Sequence, residues 1–436
     1  MRAIPELTAI LALSATPAFA RPAAEPAPPP ETQLTIVLAG DTGLNGSFEP
    51  VFAGFGTKQG QRLAWHEAST AIALEINGDI NFANLETVVT DRNDLKPNPK
   101  LFGFRTHPGG VRHLMQIGFN VFSTANNHAM DFGLDGARET LKHLAAIGVA
   151  HAGLGANRTE ARTPRLLSAK GQAIALQALG IIGSGYASPA DDEDRPGQLS
   201  YQSERDLGEA TAALAAAKAD FKILSVHYGQ EFEVSTASND RRRLTSSLAQ
   251  GADLVVGHHQ HVPAGVEIVD GKAIFYGLGN FMHWGTQDMS RFDICRDYGL
   301  IARVHVAGAP GKPLTLRAIE ALPITAMHKR PERRTPEDAA ARVHVLNHLA
   351  DQFGANGVRF AIEADGKGLY CAPGADRLQG AIGERCRAGT KVTTPAPDLA
   401  RKIETACARH VVRIVENEGE QEPEFAPVGL DVDPGE

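Results

Sequence analysis

From Gln33 to about Ile324, short apolar runs alternate with amphipathic stretches. Runs of this kind are typical of strands that are buried on both faces. We predict strands near 34–39, 80–84, 119–124, 173–178, 221–226 and 253–256, and helices near 61–77, 108–117, 135–147 and 238–250. Later runs at 265–269, 272–276, 299–306 and 314–322 are separated by turn signals, which predicts antiparallel additions. The alternation favours an α/β layered fold.

The composition of the chain changes beyond Ile324. The segment 329–336 is polar and carries two prolines, and Pro336 then opens a predicted helix with acidic residues in its first turn. We therefore predict a main domain over residues 33–325 and a small C-terminal α+β module over 326–415. The tail 416–436 is acidic and contains proline and glycine, so we expect it to be disordered.

The N-terminal segment has the pattern of a secretory signal. Arg2 precedes an apolar stretch from Leu7 to Leu13, and Ala18-Phe19-Ala20 forms a cleavage signal. We predict a signal peptide over residues 1–20, cleaved after Ala20, and a Pro/Ala-rich linker over 21–32. The alternative is a buried helix. The chain contains no run of eighteen or more apolar residues, the length that could span a bilayer. From the signal pattern we expect a periplasmic or secreted protein.

Composition narrows the class of protein. The chain is 43% hydrophobic and 22% charged, as is typical of soluble globular proteins, and its net charge of -8 gives no reason to expect a nucleic-acid partner. No two of the 4 cysteines are spaced as C-x-x-C, which argues against a zinc site formed by cysteines. In an exported chain they permit disulfides. We predict a Cys371–Cys386 bridge, with Cys407 either free or joined to Cys295; four reduced cysteines are the alternative.

Polar side chains follow directly after several predicted strands. In open α/β sheets, ligands bind outside the carboxyl ends of the strands, so we expect these side chains to meet at one sheet edge. Carboxylate, amide and imidazole donors together suit Zn, Mn or Fe. The predicted ligands of one or two divalent ions are Asp41, Glu86, Asn127, His227, His259 and His261.

Each candidate also has a plainer interpretation. Asp41 and Asn127 could be turn residues, and His227 could be a structural histidine. His259 and His261 are stronger, because alternate residues at a strand end point the same way and can share an ion. The order of all these positions on successive strand ends is what favours a metal site.

A set of ordered motifs resembles the CapA-type capsule-synthesis proteins, which are associated with poly-γ-glutamate synthesis. The motifs are Gly40-Asp41, Asn84–Glu86, Asn126–Gly133, His227–Glu231, Gly257–His261 and Tyr276–Phe281, and the resemblance covers roughly residues 34–325. That family looks like a branch of the calcineurin-like metallophosphoesterases. The resemblance thus implies a four-layer α/β/β/α sandwich with a dinuclear metal site.

The resemblance also implies roles for particular residues. Asp41 resembles the first-motif aspartate, Asn127 the amide ligand, and His128 the histidine that contacts a phosphate or leaving group. His227, His259 and His261 resemble the later histidine ligands.

Two departures from the phosphoesterase pattern matter. Gly43 stands where those enzymes carry a first-motif histidine, and the region Asn84–Glu86 replaces their bridging aspartate. One ion position is then expected to be weak, empty, or completed by Glu86 or Glu231.

If the site is active, we expect metal-assisted hydrolysis. His128 would be the general acid. Asp131 would either orient His128 or cap the following helix. Glu231 is a candidate for either a ligand or a general base. Asn280 could face the cleft, or its glycine-rich run could serve close packing alone.

Three functions remain open. The first is a role in making, exporting or trimming an anionic extracellular polymer such as poly-γ-glutamate, with capsule-synthesis machinery at the membrane as a partner. The second is a metal-dependent phosphoesterase or other hydrolase. The third is a metal-binding scaffold without turnover, which Gly43 suggests.

Overall fold

The computed structural model describes residues 31–58, 60–181, 194–309 and 311–410, which belong to one compact unit beginning at Glu31. The strands are β1 (Thr32–Gly43), β2 (Phe55–Lys58), β3 (Gln61–Ala64), β4 (Ile80–Leu85), β5 (Val88–Val89), β6 (Arg105–Thr106), β7 (Val121–Ser123), β8 (Ala150–Ala152), β9 (Arg165–Ala169), β10 (Gln172–Leu179), β11 (Phe221–His227), β12 (Leu254–His258), β13 (Val266–Val269), β14 (Lys272–Phe275), β15 (Asn280–His283), β16 (Gly299–Gly308), β17 (Thr315–Thr325), β18 (Glu332–Arg333), β19 (Ala361–Ile362) and β20 (Gly368–Cys371). The helices are α1 (Trp65–Ser69), α2 (Pro108–Gln116), α3 (Gly133–Ile147), α4 (Arg158–Arg162), α5 (Glu204–Ala216), α6 (Ser238–Ala249), α7 (Pro336–Leu349), α8 (Gly380–Arg387) and α9 (Pro397–Cys407), with 3-10 turns at Ala73–Glu75, Met289–Arg291, Ala350–Asn356 and Ala375–Arg377.

Most strands belong to two sheets. The first has 10 strands in the order β19-β20-β17-β16-β1-β4-β7-β8, with β15 paired to β1 and β18 paired to β17. The second has 6 strands in the order β13-β14-β12-β11-β10-β9. Strands β1, β4, β7 and β8 are parallel, and so are β10, β11, β12 and β14. Strands β13, β16 and β17 pair antiparallel, as predicted.

The two sheets face each other through a shared apolar core, and helices cover their outer sides. Ile223 of the second sheet packs in the same cluster as Ile36 and Phe82 of the first. The neighbouring residues Leu224 and Val255 point the other way and pack with α5 and α6. On the first sheet, α2 and α7 contribute to the core. The predicted α/β/β/α sandwich is therefore confirmed.

One local prediction is wrong, and one predicted helix begins without a side-chain cap. The predicted helix 61–77 divides into β3, α1 and a 3-10 turn, because Gly60, with a φ of 74°, turns the chain and lets β3 pair with β2. Helix α6 begins at Ser238, but its N-cap is Ala237 and no side chain caps it. The predicted start of α7 is confirmed, with Pro336 in its first turn and Thr335 Oγ1 accepting from the backbone of Asp338 at 3.3 Å.

Residues beyond 325 extend the first sheet, since β18 and β20 both pair with β17. Disulfides join Cys371 to Cys386, as predicted, and Cys295 to Cys407, which was one of two alternatives. The domain boundary near residue 325 stays a prediction. The signal segment 1–20, most of the linker 21–32 and the tail 416–436 lie outside the described residues. Within the described ranges, no helix is long and apolar enough to cross a membrane.

Candidate metal site

The predicted ligands meet where the ends of two facing sheets approach each other. Asp41 lies in β1, Glu86 directly follows β4 and Asn127 follows β7, all on the first sheet. His227 ends β11, and His259 and His261 follow β12, on the second sheet. The expectation of a single sheet edge is corrected in this respect. The five chain segments do converge, but from two sheets whose carboxyl ends meet.

Close backbone packing holds Asp41 in a buried position between the two sheets. A Cβ atom on Gly40 would lie 1.8 Å from the carbonyl oxygen of Gly279, so only glycine fits there. The approach lets the Asp41 N–H donate to Gly279 O at 3.0 Å. The carboxylate then accepts from Asn84 Nδ2 at 2.8 Å and from the backbone N–H of His259 at 3.2 Å. Its orientation is fixed by both sheets.

The buried donors form two groups of metal-binding size. Asp41, Glu86 and His261 form the first group, and Glu86, His227 and His259 form the second. Within each group the ligand atoms lie within 4.8 Å of one another. Glu86 belongs to both groups, so its carboxylate lies where a bridging ligand would be. Asn84, the other candidate bridge, instead donates to Asp41.

Distances around the shared carboxylate match those between ligands of one ion. Glu86 Oε1 lies 3.3 Å from His227 Nε2, and Asp41 Oδ2 lies 3.2 Å from His261 Nδ1. Donors bound to zinc at about 2.0–2.2 Å are separated from each other by roughly this much. Asn127 Oδ1 is 2.8 Å from His227 Nε2, which places the amide beside the second group.

His259 and His261 lie beyond the end of a strand, whereas we predicted that they alternate along the strand end. Strand β12 ends at His258, and the two histidines beyond it have φ angles of 97° and 58°. Left-handed backbone is costly for side chains other than glycine, and such strain concentrates at functional sites. The turn distributes the two imidazoles between the groups, His259 to the second and His261 to the first.

The charges of the site favour metal binding. Burial and the charge of Glu86 act to raise the pKa of Asp41, but hydrogen bonds from His258 and His261 outweigh them and lower it. Burial likewise opposes ionisation of Glu86, yet the charges of His227 and His261 hold its pKa well below the ordinary value. Burial, together with the neighbouring histidines, lowers the pKa of His259. The carboxylates are therefore ionised and His259 is neutral, which are the ligating forms.

His261 behaves differently from His259. Burial alone would lower its pKa, but the charge of Glu86 and the hydrogen bond to Asp41 raise the pKa to about 9. A cation at this position would replace the proton as the partner of the two carboxylates. Glu231, which is half-buried, is one of the charges that raise this pKa, but it belongs to neither group.

His128 and Asp131 form a pair beside the groups. Asp131 Oδ2 lies 2.7 Å from His128 Nδ1, and the other carboxylate oxygen accepts from Lys100 Nζ at 2.6 Å. The predicted orienting contact is thus present. The alternative, a cap on the next helix, is wrong, because the N-cap of α3 is Phe132, without a side-chain bond. The ring of Phe104 packs on His128, with 4.2 Å between centroids.

Several residues of the site were missed from sequence. His258 Nδ1 lies 3.3 Å from Asp41 Oδ1, and buried His283 has Nε2 3.2 Å from Glu86 Oε2. Asn280, for which two interpretations were open, lies with Oδ1 2.9 Å from His261 Nδ1. The cluster of three histidines in 258–261 was a signal for His258. Nothing in the sequence distinguished His283 from a surface-loop histidine.

The residues present fit a divalent metal site. Glu86 Oε1 and His259 Nδ1, which belong to residues of the donor groups, are buried polar atoms without a hydrogen-bond partner. Buried polar atoms are ordinarily paired, so unpaired ones in a cluster of this composition are explained by a bound ion. The donor set of carboxylate, imidazole and amide suits Zn, Mn or Fe.

Sequence comparisons identify similar proteins whose names refer to PGA and polyglutamine synthesis. The PGA biosynthesis protein CapA of Bacillus subtilis is 31% identical over 202 residues, which are 46% of this chain and 52% of that protein. A probable polyglutamine synthesis accessory protein of Mycobacterium tuberculosis is 31% identical over 230 residues, 50% of this chain and 59% of that protein. The chain therefore spans between half and three fifths of the length of these relatives.

A solved structure is also similar, at lower sequence identity. The NAD nucleotidase of Haemophilus influenzae shares 13% identity, with a TM-score of 0.38, over 88% of this chain and 62% of that one. The pattern of the family described as bacterial capsule synthesis protein PGA_cap matches residues 35–284, a range that contains every predicted ligand and also His128, Asp131 and Glu231. This chain belongs to the PGA_cap family of bacterial capsule synthesis proteins.

Proposed function

We propose that this protein is an exported, metal-dependent member of its family that acts on an anionic extracellular polymer such as poly-γ-glutamate. Its role would lie in synthesis, export or trimming of the polymer. The observation that carries the proposal is the pair of buried donor groups joined by Glu86. The relatives named for PGA and polyglutamine synthesis support the class of polymer.

The donor groups define the proposed metal ligands. Asp41, Glu86 and His261 would hold one divalent ion, and Glu86, Asn127, His227 and His259 would hold a second. The bound ions would supply a nucleophile near neutral pH, by lowering the pKa of water, and would polarise the scissile group. The left-handed turn at 259–261 keeps the two later histidines apart, so that each serves its own group.

The pair beside the ions would handle the proton of the leaving group. Asp131 engages Nδ1 of His128, which makes Nε2 the atom for proton transfer. Lys100 and the backbone N–H of Phe104 both donate to Asp131, at 2.6 Å each, and hold it in place. His128 is therefore the proposed general acid. Glu231, a half-buried residue whose charge acts on His261, is the candidate for general base.

Export is part of the proposal. Two disulfides, Cys295–Cys407 and Cys371–Cys386, suit an oxidising compartment, because thiols in the cytosol are kept reduced. The signal segment predicted over residues 1–20 supports the same localisation. Capsule-synthesis machinery at the membrane remains the proposed partner.

The test incubates the purified, Mn- or Zn-loaded protein with poly-γ-glutamate of defined length and with a panel of phosphoesters. Polymer length and binding, phosphate release and metal content are measured for the parent, His128→Gln and the exposed-histidine control His66→Ala. We expect polymer binding or shortening in the parent and in His66→Ala. In His128→Gln we expect metal content to be unchanged and any shortening to fall by at least about 100-fold.

The other two functions give different results. Phosphate release without any effect on, or binding of, the polymer would contradict the proposal and favour a phosphoesterase. Bound metal with neither activity nor polymer binding would favour a scaffold.

A further inference from the structure

The two donor groups of the metal site share Glu86 and are built alike. Each consists of three His, Asp or Glu donors with one amide beside them. Asn127 Oδ1 lies 2.8 Å from His227 Nε2 in the second group, and Asn280 Oδ1 lies 2.9 Å from His261 Nδ1 in the first. A position with three such donors can take one further imidazole from the protein.

His283 has the burial and contacts of such a donor. Its side chain is fully buried, Nε2 lies 3.2 Å from Glu86 Oε2, and Nδ1 is a buried atom without a hydrogen-bond partner. Its ring meets that of His261 edge-on, with 5.6 Å between centroids. Two oxygens of one carboxylate thus face two histidines, His227 on one side and His283 on the other. A separation of 3.2 Å fits two ligands on one ion and also a hydrogen bond, and His283 itself belongs to neither donor group.

The position of His283 follows from the pairing of β1 with β15. Gly43 and His283 are partners in that parallel pair. A Cβ atom built on Gly43 would lie 3.7 Å from Cε1 and 3.8 Å from Nδ1 of His283. The imidazole therefore occupies the space into which a side chain at position 43 would project. The absence of a side chain at Gly43 leaves room for a donor from the neighbouring strand.

We infer that His283 is a direct ligand of the ion held by Asp41, Glu86 and His261, through Nε2. The inference rests on the proposed metal site and adds a residue that its sequence motifs do not include. The competing role is that of a positioning residue, in which the Nε2–H of His283 donates to Glu86 and never contacts the ion. The two roles differ in one observable property, because a ligating nitrogen carries no proton whereas a donating nitrogen must carry one.

The experiment follows ring nitrogens by ¹⁵N NMR in histidine-labelled protein, with Zn²⁺ added to the apoprotein. His283→Gln identifies the His283 signals, and His227→Gln identifies those of a ligand from the second group. On zinc addition we expect Nε2 of His283 to lose its coupling to a proton and to shift as Nε2 of His227 does. If Nε2 of His283 stays protonated while the His227 signal shifts, His283 is only a positioning residue and the inference is overturned.

Binding constants provide a second readout. In His283→Ala we expect one of two zinc sites to weaken by at least about 100-fold, the upper end of the loss seen when an outer partner is removed. The double variant Gly43→His/His283→Ala moves the imidazole to the partner position, where the surroundings permit a Cβ atom, and should recover at least about tenfold of the loss. Two sites of parental affinity in His283→Ala would overturn the inference. Failure of the parent to bind zinc, with no histidine signal changed, would instead refute the proposed function itself.

Discussion

Glu320 provides a stability prediction whose size follows from the structure. It lies in β17, with only 6% of its surface exposed, where the first sheet meets the C-terminal segment. Glu320 Oε2 lies 2.8 Å from His305 Nε2, and Oε1 accepts from Arg385 at 2.7 Å. Burial opposes its ionisation, but these two partners lower its pKa from 4.5 to about 2.

The lowered pKa sets both the magnitude and the pH range. A difference of about 2.5 pKa units corresponds to about 3 kcal/mol of stability. Because the folded-state pKa is below the unfolded value, this contribution is present in full above about pH 5. It is lost as the pH falls toward about 2, and roughly half of it remains near pH 3. Glu320→Gln should therefore lower the free energy of unfolding by about 3 kcal/mol at pH 7.

The assay is urea unfolding of the parent and the variant at several pH values from 3 to 7. Glu363→Gln is the matched control, because Glu363 also binds Arg385, at 2.7 Å, but burial raises rather than lowers its pKa. The control should show no comparable loss at pH 7. A Glu320→Gln variant as stable as the parent at pH 7, or a difference that stays constant down to pH 3, would refute the reasoning.

Three further predictions concern the contacts that hold the C-terminal segment to the main domain and the residue that orients the proposed general acid, His128. Arg296→Met should lower the free energy of unfolding, measured with urea, by about 3–5 kcal/mol. The reason is that its buried guanidinium donates to Phe232 O at 2.9 Å and to Ala406 O at 3.0 Å. An unchanged unfolding midpoint would contradict this prediction. Replacing Cys295 and Cys407 by alanine should lower the free energy of unfolding by about 5 kcal/mol in the chain-entropy model, since the disulfide spans 112 residues. A loss below about 1 kcal/mol would argue against a stabilising role of this disulfide. Asp131→Asn should reduce any turnover by at least about tenfold with metal content unchanged, and loss of metal would mean that Asp131 acts on the ions instead.

Sequence reasoning succeeded where local pattern and tertiary structure agree. The strands β4, β7, β10 and β11 are mostly apolar and buried on both faces, so a local apolar run is enough to identify them. Polar residues directly after such strands were correctly expected to converge. The pairing of the facing sheets was inferred only from the family resemblance, because periodicity along one strand contains no information about which sheet it joins.

The missed features depend on contacts between distant segments. Strand β3 was mistaken for the start of a helix, since its pairing with β2 depends on the turn at Gly60. His283 reaches Glu86 only because β15 lies beside β1, a pairing across more than two hundred residues of chain. Likewise, the division of His259 and His261 between two groups follows from a left-handed turn that no residue preference indicates.

The central claim is that buried donors from two sheets hold divalent ions around Glu86. The most direct test is metal content and affinity, by mass spectrometry and calorimetry, in the parent, His259→Ala, His261→Ala and the control His66→Ala. We predict two ions per chain in the parent and in the control. Each of the other two variants should retain one ion near parental affinity and lose most of its affinity for the other, because the two histidines belong to different groups. Unchanged stoichiometry and affinity in both His259→Ala and His261→Ala would contradict the claim.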